Sequence, residues 1–219
     1  MKKINVLAIV PIRERNLRLP KSLKKIKGKP LVDYTISHAK KSKYINKIIV
    51  STNSDKVINH VKKLGITIPF KRPKYLNGKN IILDEVLCHT TKWVIDNTNF
   101  SPDLIVLLEI THPFRKVSLI DQAIEALIKK NLDTVFISYE DHRNYWKVTP
   151  DNTLERIGES EYIPRERHSP IYREVSGVTC VTKPDFILKG SRLGEKVGMI
   201  PVRDARTVFD IRDEETILT

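Results

Sequence analysis

Cysteine is scarce in this chain. Two thiols, Cys88 and Cys180, stand far apart in 219 residues with no CxxC pair. That excludes a disulfide framework and argues for a reducing compartment. The six histidines show no HxxxH spacing, which argues against a zinc centre. No apolar run is long enough to span a bilayer, and the Met-Lys-Lys start lacks a small-residue cleavage site, so a cytoplasmic protein with no membrane partner is expected. There is no internal repeat, low-complexity tract or linker. Acid is short relative to base: 26 Asp and Glu against 39 Lys and Arg, a net charge of +13. Such an excess favours anionic partners. It is spread along the whole chain, and no zinc finger, RRM signature or basic-region heptad accompanies it, so nucleic acid is not the expected partner.

What the chain does have is a short apolar run over residues 4–12 that passes at once into a basic loop. The run reads as a strand buried on both faces of a parallel sheet. The loop holds Arg13, Arg15, Arg18, Lys21, Lys24, Lys25, Lys27 and Lys29 against one acid, Glu14. Open α/β sheets bind ligands in loops leaving the carboxyl ends of strands. Cations this closely packed repel one another unless solvated or given an anion. The reading is that Arg13, Arg18 and Lys21 fold over a polyphosphate, with most of residues 24–29 as solvated surface.

Strand and helix then alternate. A helix is expected over residues 30–43, with Leu31, Ile36 and Ala39 inward, then a strand over 45–52. Ser54 and Asp55 can cap a helix that Gly65 ends. A short strand is expected over 66–70, a cationic loop over 71–79, a helix over 80–97 and a buried strand over 104–109. An amphipathic helix through Leu119, Ile120, Ala123, Ile124, Leu127 and Ile128 follows, then a strand over 133–138. Residues 139–170 turn polar and rich in Pro, Arg and Glu, a candidate excursion or dimerisation arm in which Tyr145 and Trp146 pack the arm or an interface. Strands are expected again over 172–182, 197–202 and 207–211, and a closing helix over 214–218. The expected fold is a single α/β domain, Rossmann-like, with a mostly parallel sheet flanked by helices.

Six ordered segments resemble one known family. AIVPIRERNLRLPKSLKKIKGKPLVDYTI looks like the N-terminal signature of sugar-activating nucleotidyltransferases. IIVSTNSD, IPFKRPKYL, LLEITHPFR, PRERHSPIYREVSG and TVFDIRDEET follow in the family's order. Together they are similar to acylneuraminate cytidylyltransferases (CMP-sialic acid synthetases) and their relatives for other nonulosonic acids.

The resemblance implies that CMP from CTP is joined to an acidic sugar, with Mg²⁺ and release of pyrophosphate, by a protein that is commonly a homodimer. It implies a nucleotide side of Arg13, Glu14, Arg18, Lys21, Ser22 and Arg72, in which Arg13 and Lys21 act in catalysis together with Asp210. It implies a sugar side of Glu109, Thr111, Arg115, Arg165 and Arg173, the last two suited to a carboxylate because a guanidinium meets one bidentately. Asp210 and Asp213 are the implied metal ligands, as hard oxygen donors.

The departures from the family pattern fall at ligand-facing positions. Ser22 takes the usual lysine's place, with Lys21 one residue early. No glycine lies between Pro11 and Gly28, which limits how closely the backbone can wrap a phosphate. Arg212 stands where a second aspartate is usual. Glu109 stands where glutamine is usual, and an acid there repels a carboxylate or binds an amino or hydroxyl group. Ser176 replaces an asparagine, and Cys180 falls where a tyrosine often stands. Three readings remain open: a cytidylyltransferase for an acidic sugar, a related enzyme using another nucleotide or acceptor, and a non-catalytic homologue that binds a nucleotide or CMP-sugar.

Overall fold

In the computed structural model, residues 4–14, 20–158, 163–164 and 167–211 are described. Strand β1 (Val6–Ile12) lies inside the sheet, one strand in from an edge, and its alternate side chains feed two cores. Val6, Ala8, Val10 and Ile12 point to one face, where they meet α1 (Leu31–Lys41), α2 (Asp55–Lys63) and α4 (Val117–Lys129). Leu7 and Ile9 point to the other, among side chains of α3 (Leu83–Asn97) and the short α5 (Pro184–Leu188). A strand covered on both faces has no polar side to display, which is why it is apolar throughout.

The hairpin strands β2 (Lys25–Ile26) and β3 (Lys29–Pro30) lead into α1. Beyond α1, β4 (Ile45–Thr52) pairs parallel with β1, Ile9 beside Ile49, and β5 (Leu104–Leu107) pairs parallel on the other side, Ile9 beside Leu107. Next comes β6 (Thr134–Asp141), followed by a separate two-stranded hairpin of β7 (Tyr145–Val148) and β8 (Leu154–Ile157). Two short strands, β9 (Ile171–Glu174) and β10 (Cys180–Thr182), run antiparallel along β6, and β10 fills the gap between β5 and β6. Strand β11 (Val197–Val202) pairs parallel with the outer edge of β6. The sheet order is β11-β6-β10-β5-β1-β4, a mostly parallel α/β sheet between helical layers.

Local chemistry accounts for several boundaries. The Ser54 hydroxyl accepts the Val57 amide at the start of α2, and Gly65, at φ +74°, ends it where a side chain would be strained. Asp121 on α4 accepts the Ser42 hydroxyl at 2.5 Å and the Lys43 amide at 3.2 Å, fixing the exit of α1. Three expectations need correction. Residues 66–70 form no strand, for Pro69 withholds an amide and the segment attaches instead through the Arg72 amide to the Thr52 carbonyl at 2.8 Å. The stretch 172–182 is broken into β9 and β10 by a turn in which the Val178 amide bonds the Val175 carbonyl. Residues 207–211 are turn and irregular chain rather than a strand. The expected helix over 214–218 lies outside the described residues.

Among the described residues no helix is long and apolar enough to cross a membrane. The carboxyl ends of β1, β4 and β5 open onto the same edge, and the candidate site is built there.

Candidate active site

Two cavities hold several of the expected site residues. The first, about 600 Å³, is lined by Pro11, Arg13, Arg72, Leu76, residues 81–84, Val86, Glu109 and Arg192. Arg13 follows directly from β1 and donates to the Gly78 carbonyl at 2.6 Å. Arg72 is almost wholly buried and is fixed from behind by the Ser51 hydroxyl (3.1 Å) and carbonyl (2.5 Å). Burial, and then the charge of Arg13, push its pKa down to about 10. Among the described residues neither guanidinium forms an ion pair, so two cations share one cavity and favour an anion there.

Glu14 lies at the base of the basic loop. Its carboxylate accepts the amides of Lys21 (2.9 Å) and Ser22 (3.0 Å), while its own backbone is clamped by the Asn53 side chain through two 3.0 Å bonds. The acid therefore closes the basic loop across its base. Ser22 is fully buried beneath that closure and Lys21 is half-buried at its end. None of the three lines the first cavity.

Arg115, expected on the sugar side, is buried behind the end of β5. It donates to the Glu109 carbonyl, to the Gly177 carbonyl at 3.0 Å and to the Thr35 hydroxyl at 3.2 Å. Burial pushes its pKa down to about 9, partly offset by the nearby Glu109 charge. It joins the end of β5 to α1 and to the β9–β10 turn. Gly177 sits so close that a Cβ there would lie 2.7 Å from the His112 ring and 3.1 Å from the Glu109 carboxyl carbon.

The second cavity, about 490 Å³, is lined by Tyr139, Arg143, Arg173, Ala205, Val208, Phe209 and Asp210. The Arg173 guanidinium lies over the Tyr139 ring, 5.7 Å from its centre. The Ile211 amide donates to the Thr111 carbonyl at 2.8 Å, and Phe209 packs on Phe114, so Asp210 is held beside Thr111. Thus Arg173 and Asp210 share one cavity, and Arg13, Arg72 and Glu109 share the other. Arg18, Arg165 and Asp213 lie outside the described residues, and among the described residues no three metal-binding side chains cluster.

Sequence reasoning missed three lining residues. Asp84 and Arg192 pair at 2.8 Å at the rim of the first cavity, a contact across 108 positions with no local signal. Arg143 borders the second. It binds Asp141 and holds that carboxyl well below its usual range, aided by the Tyr145 hydroxyl at 2.6 Å.

The family model described as Cytidylyltransferase matches residues 7–179. A CMP-N,N'-diacetyllegionaminic acid synthase of Legionella pneumophila is 32% identical over 124 residues, 56% of this chain and 53% of that protein. A pseudaminic acid cytidylyltransferase of Campylobacter jejuni is 27% identical over 135 residues, 61% of this chain and 58% of that protein. The chain thus spans little more than half the length of these relatives. A solved CMP:2-keto-3-deoxy-manno-octonic acid synthetase complexed with CTP superposes with a TM-score of 0.65 over 91% of this chain and 90% of that one, at 15% identity, and so shares the fold.

Gly177→Ala is expected to displace His112 or Glu109 and to lower thermal stability by about 1–3 kcal/mol, as overpacking does. Thermal unfolding checks this, and an unchanged melting temperature would show that the turn yields without cost.

Proposed function

Since the chain belongs to the cytidylyltransferase family, we propose that it transfers CMP from CTP to an acidic sugar of the nonulosonic type. The observation that carries this reading is a pair of cavities: a cationic one with Arg13 and Arg72, and one that sets Arg173 and Asp210 on its wall. The anomeric hydroxyl attacks the α-phosphorus of CTP. A bond forms from that oxygen to phosphorus, its proton is released to solvent, the bond to the bridging oxygen breaks, and pyrophosphate leaves. Such a transfer is driven by positioning and charge neutralisation more than by covalent chemistry.

Arg13 and Arg72 hold and orient the nucleotide, with Lys21 and Arg18 adding charge from the basic loop. Arg173, with Arg165, pairs with the sugar carboxylate, and Thr111 shapes the same side. Mg²⁺ takes one or two carboxylates together with substrate phosphates and keeps several waters. Asp210, a hard oxygen donor on the wall of the second cavity, fits that demand, with Asp213 as its companion. The ion would supply neutralisation of the phosphate charge. The reaction belongs in the cytoplasm, where the free thiols Cys88 and Cys180 stay reduced. Neither nucleic acid nor membrane is a partner in this reading.

A homodimer is part of the proposal. Trp146, Val148 and Leu154 lie on one face of the β7–β8 hairpin and are 55%, 65% and 69% exposed, an apolar surface that a second copy would cover. Sedimentation of Trp146→Glu is expected to give monomer where the parent chain gives dimer. An unchanged distribution would place the interface elsewhere.

The direct assay is pyrophosphate release with Mg²⁺, testing CTP, UTP, GTP and ATP against sialic, legionaminic, pseudaminic and 3-deoxy-octulosonic acids. Release is expected with CTP alone. Asp210→Asn is expected to lose on the order of 100-fold or more in turnover while keeping its fold. Release with another nucleotide, or full activity of Asp210→Asn, would count against the assignment.

A further inference from the structure

We propose that Ser51 and Asn53, at the end of β4, are positioning residues that set the two arginines of the nucleotide cavity, although neither lines the cavity itself. This rests on the reading of the first cavity as the nucleotide site and adds the residues that govern its affinity. Three observations support it.

The first is the grip on the chain at Arg13. The parallel ladder between β1 and β4 ends with Ile12 beside Thr52. One residue further, the side chain of Asn53 replaces it. Its Oδ1 accepts the Glu14 amide and its Nδ2 donates to the Glu14 carbonyl, both at 3.0 Å. A primary amide carries the same donor and acceptor as a peptide group, so Asn53 acts as one more rung. Arg13 lies between the last true rung and this one, so its backbone is held on both sides. From there its guanidinium reaches the Gly78 carbonyl at 2.6 Å on the cavity wall.

The second is the grip on Arg72. Its amide donates to the Thr52 carbonyl at 2.8 Å. Its Nε donates to the Ser51 hydroxyl at 3.1 Å and its Nη2 to the Ser51 carbonyl at 2.5 Å. Ser51 is fully buried, and its neighbour across the ladder is Pro11, a wall residue of the same cavity.

The third is the charge that these grips oppose. The charge of Arg13 lowers the pKa of Arg72, so each guanidinium feels the other. Two like charges in one cavity favour separation until an anion arrives, and an arginine that is free to turn loses side-chain entropy when it is drawn back to a ligand. Three consecutive residues of one strand hold both cations from behind, so their separation is fixed by a single rigid element. Donors ordered before the ligand arrives bind it more tightly than donors that must be gathered.

Calorimetry of the full chain with CTP and Mg²⁺, with no acceptor present, tests this without turnover. Asn53→Ala is expected to weaken CTP binding roughly 10-fold and Ser51→Ala roughly 5-fold. Each loss runs through one arginine. On the Arg13→Gln chain, Asn53→Ala is expected to cost less than about twofold more, and on the Arg72→Gln chain the same holds for Ser51→Ala. Asn53→Ala made on the Arg72→Gln chain keeps its roughly 10-fold cost. The inference is overturned if either single variant binds CTP within about twofold of the parent. It is also overturned if the losses add in full on the matching arginine variants, which would assign Ser51 and Asn53 to general stability or to the basic loop that Glu14 closes. Should Asn53→Ala fail to fold, Ser51→Ala and its pair with Arg72→Gln decide alone. A parent chain that binds no CTP is a separate result: it defeats the reading of the cavity and this inference with it.

Discussion

A guanidinium removed from water sets the geometry of the whole site. Arg115 is buried where three pieces of chain meet: the end of β5, the helix α1 at Thr35 and the turn at Gly177 between β9 and β10. Taking such a charge out of water is costly unless its donors are met. Here two backbone carbonyls and a hydroxyl meet the terminal nitrogens, while Nε is left without a hydrogen-bond partner among the described residues, and the Glu109 charge lies close by. The planar fork of arginine reaches several acceptors at once, which the single ammonium of a lysine does not. Because the Gly177 carbonyl accepts both from Arg115 and from the Glu109 amide, the turn and the strand end form one unit.

The electrostatics follow from how the few acids are used. Glu14 is spent on closing the basic loop, Asp141 on Arg143, Glu140 on Arg203 and His142, and Asp84 on Arg192. Arg13, Arg72 and Arg173 face cavities, and among the described residues they form no ion pair. In a chain with 39 bases and 26 acids, these three arginines are placed where an anionic ligand would neutralise them.

Much of the framework was legible from local pattern. The uninterrupted apolar stretch of β1, the Ser54 cap and the inward face of α1 all rest on short-range chemistry, and all appear in the structure. The breaks were not legible. Residues 172–182 have the composition of one strand, but the turn at Ser176 and Gly177 exists because Arg115 and Glu109, more than sixty positions earlier in the chain, require the Gly177 carbonyl. Residues 207–211 read as a strand, yet they are tied to Thr111 by the Ile211 amide rather than by a ladder. The same limit applies to the site. Arg13 and Arg72 could be placed because each follows a strand or precedes a proline in a recognisable motif. The inward turn of Arg115, the internal use of Glu14 and the pairing of Asp84 with Arg192 depend on partners distant in sequence, and no periodicity encodes them.

The central claim is that the cavity between β1, β4 and the start of α3 holds the nucleotide. Amide hydrogen exchange with and without CTP and Mg²⁺ tests it most directly. The account predicts slower exchange in residues 11–14 and 72–86, with the lysine-rich β2–β3 hairpin unchanged. Slowing confined to that hairpin, with none at the cavity, would reduce CTP binding to bulk charge and contradict the account.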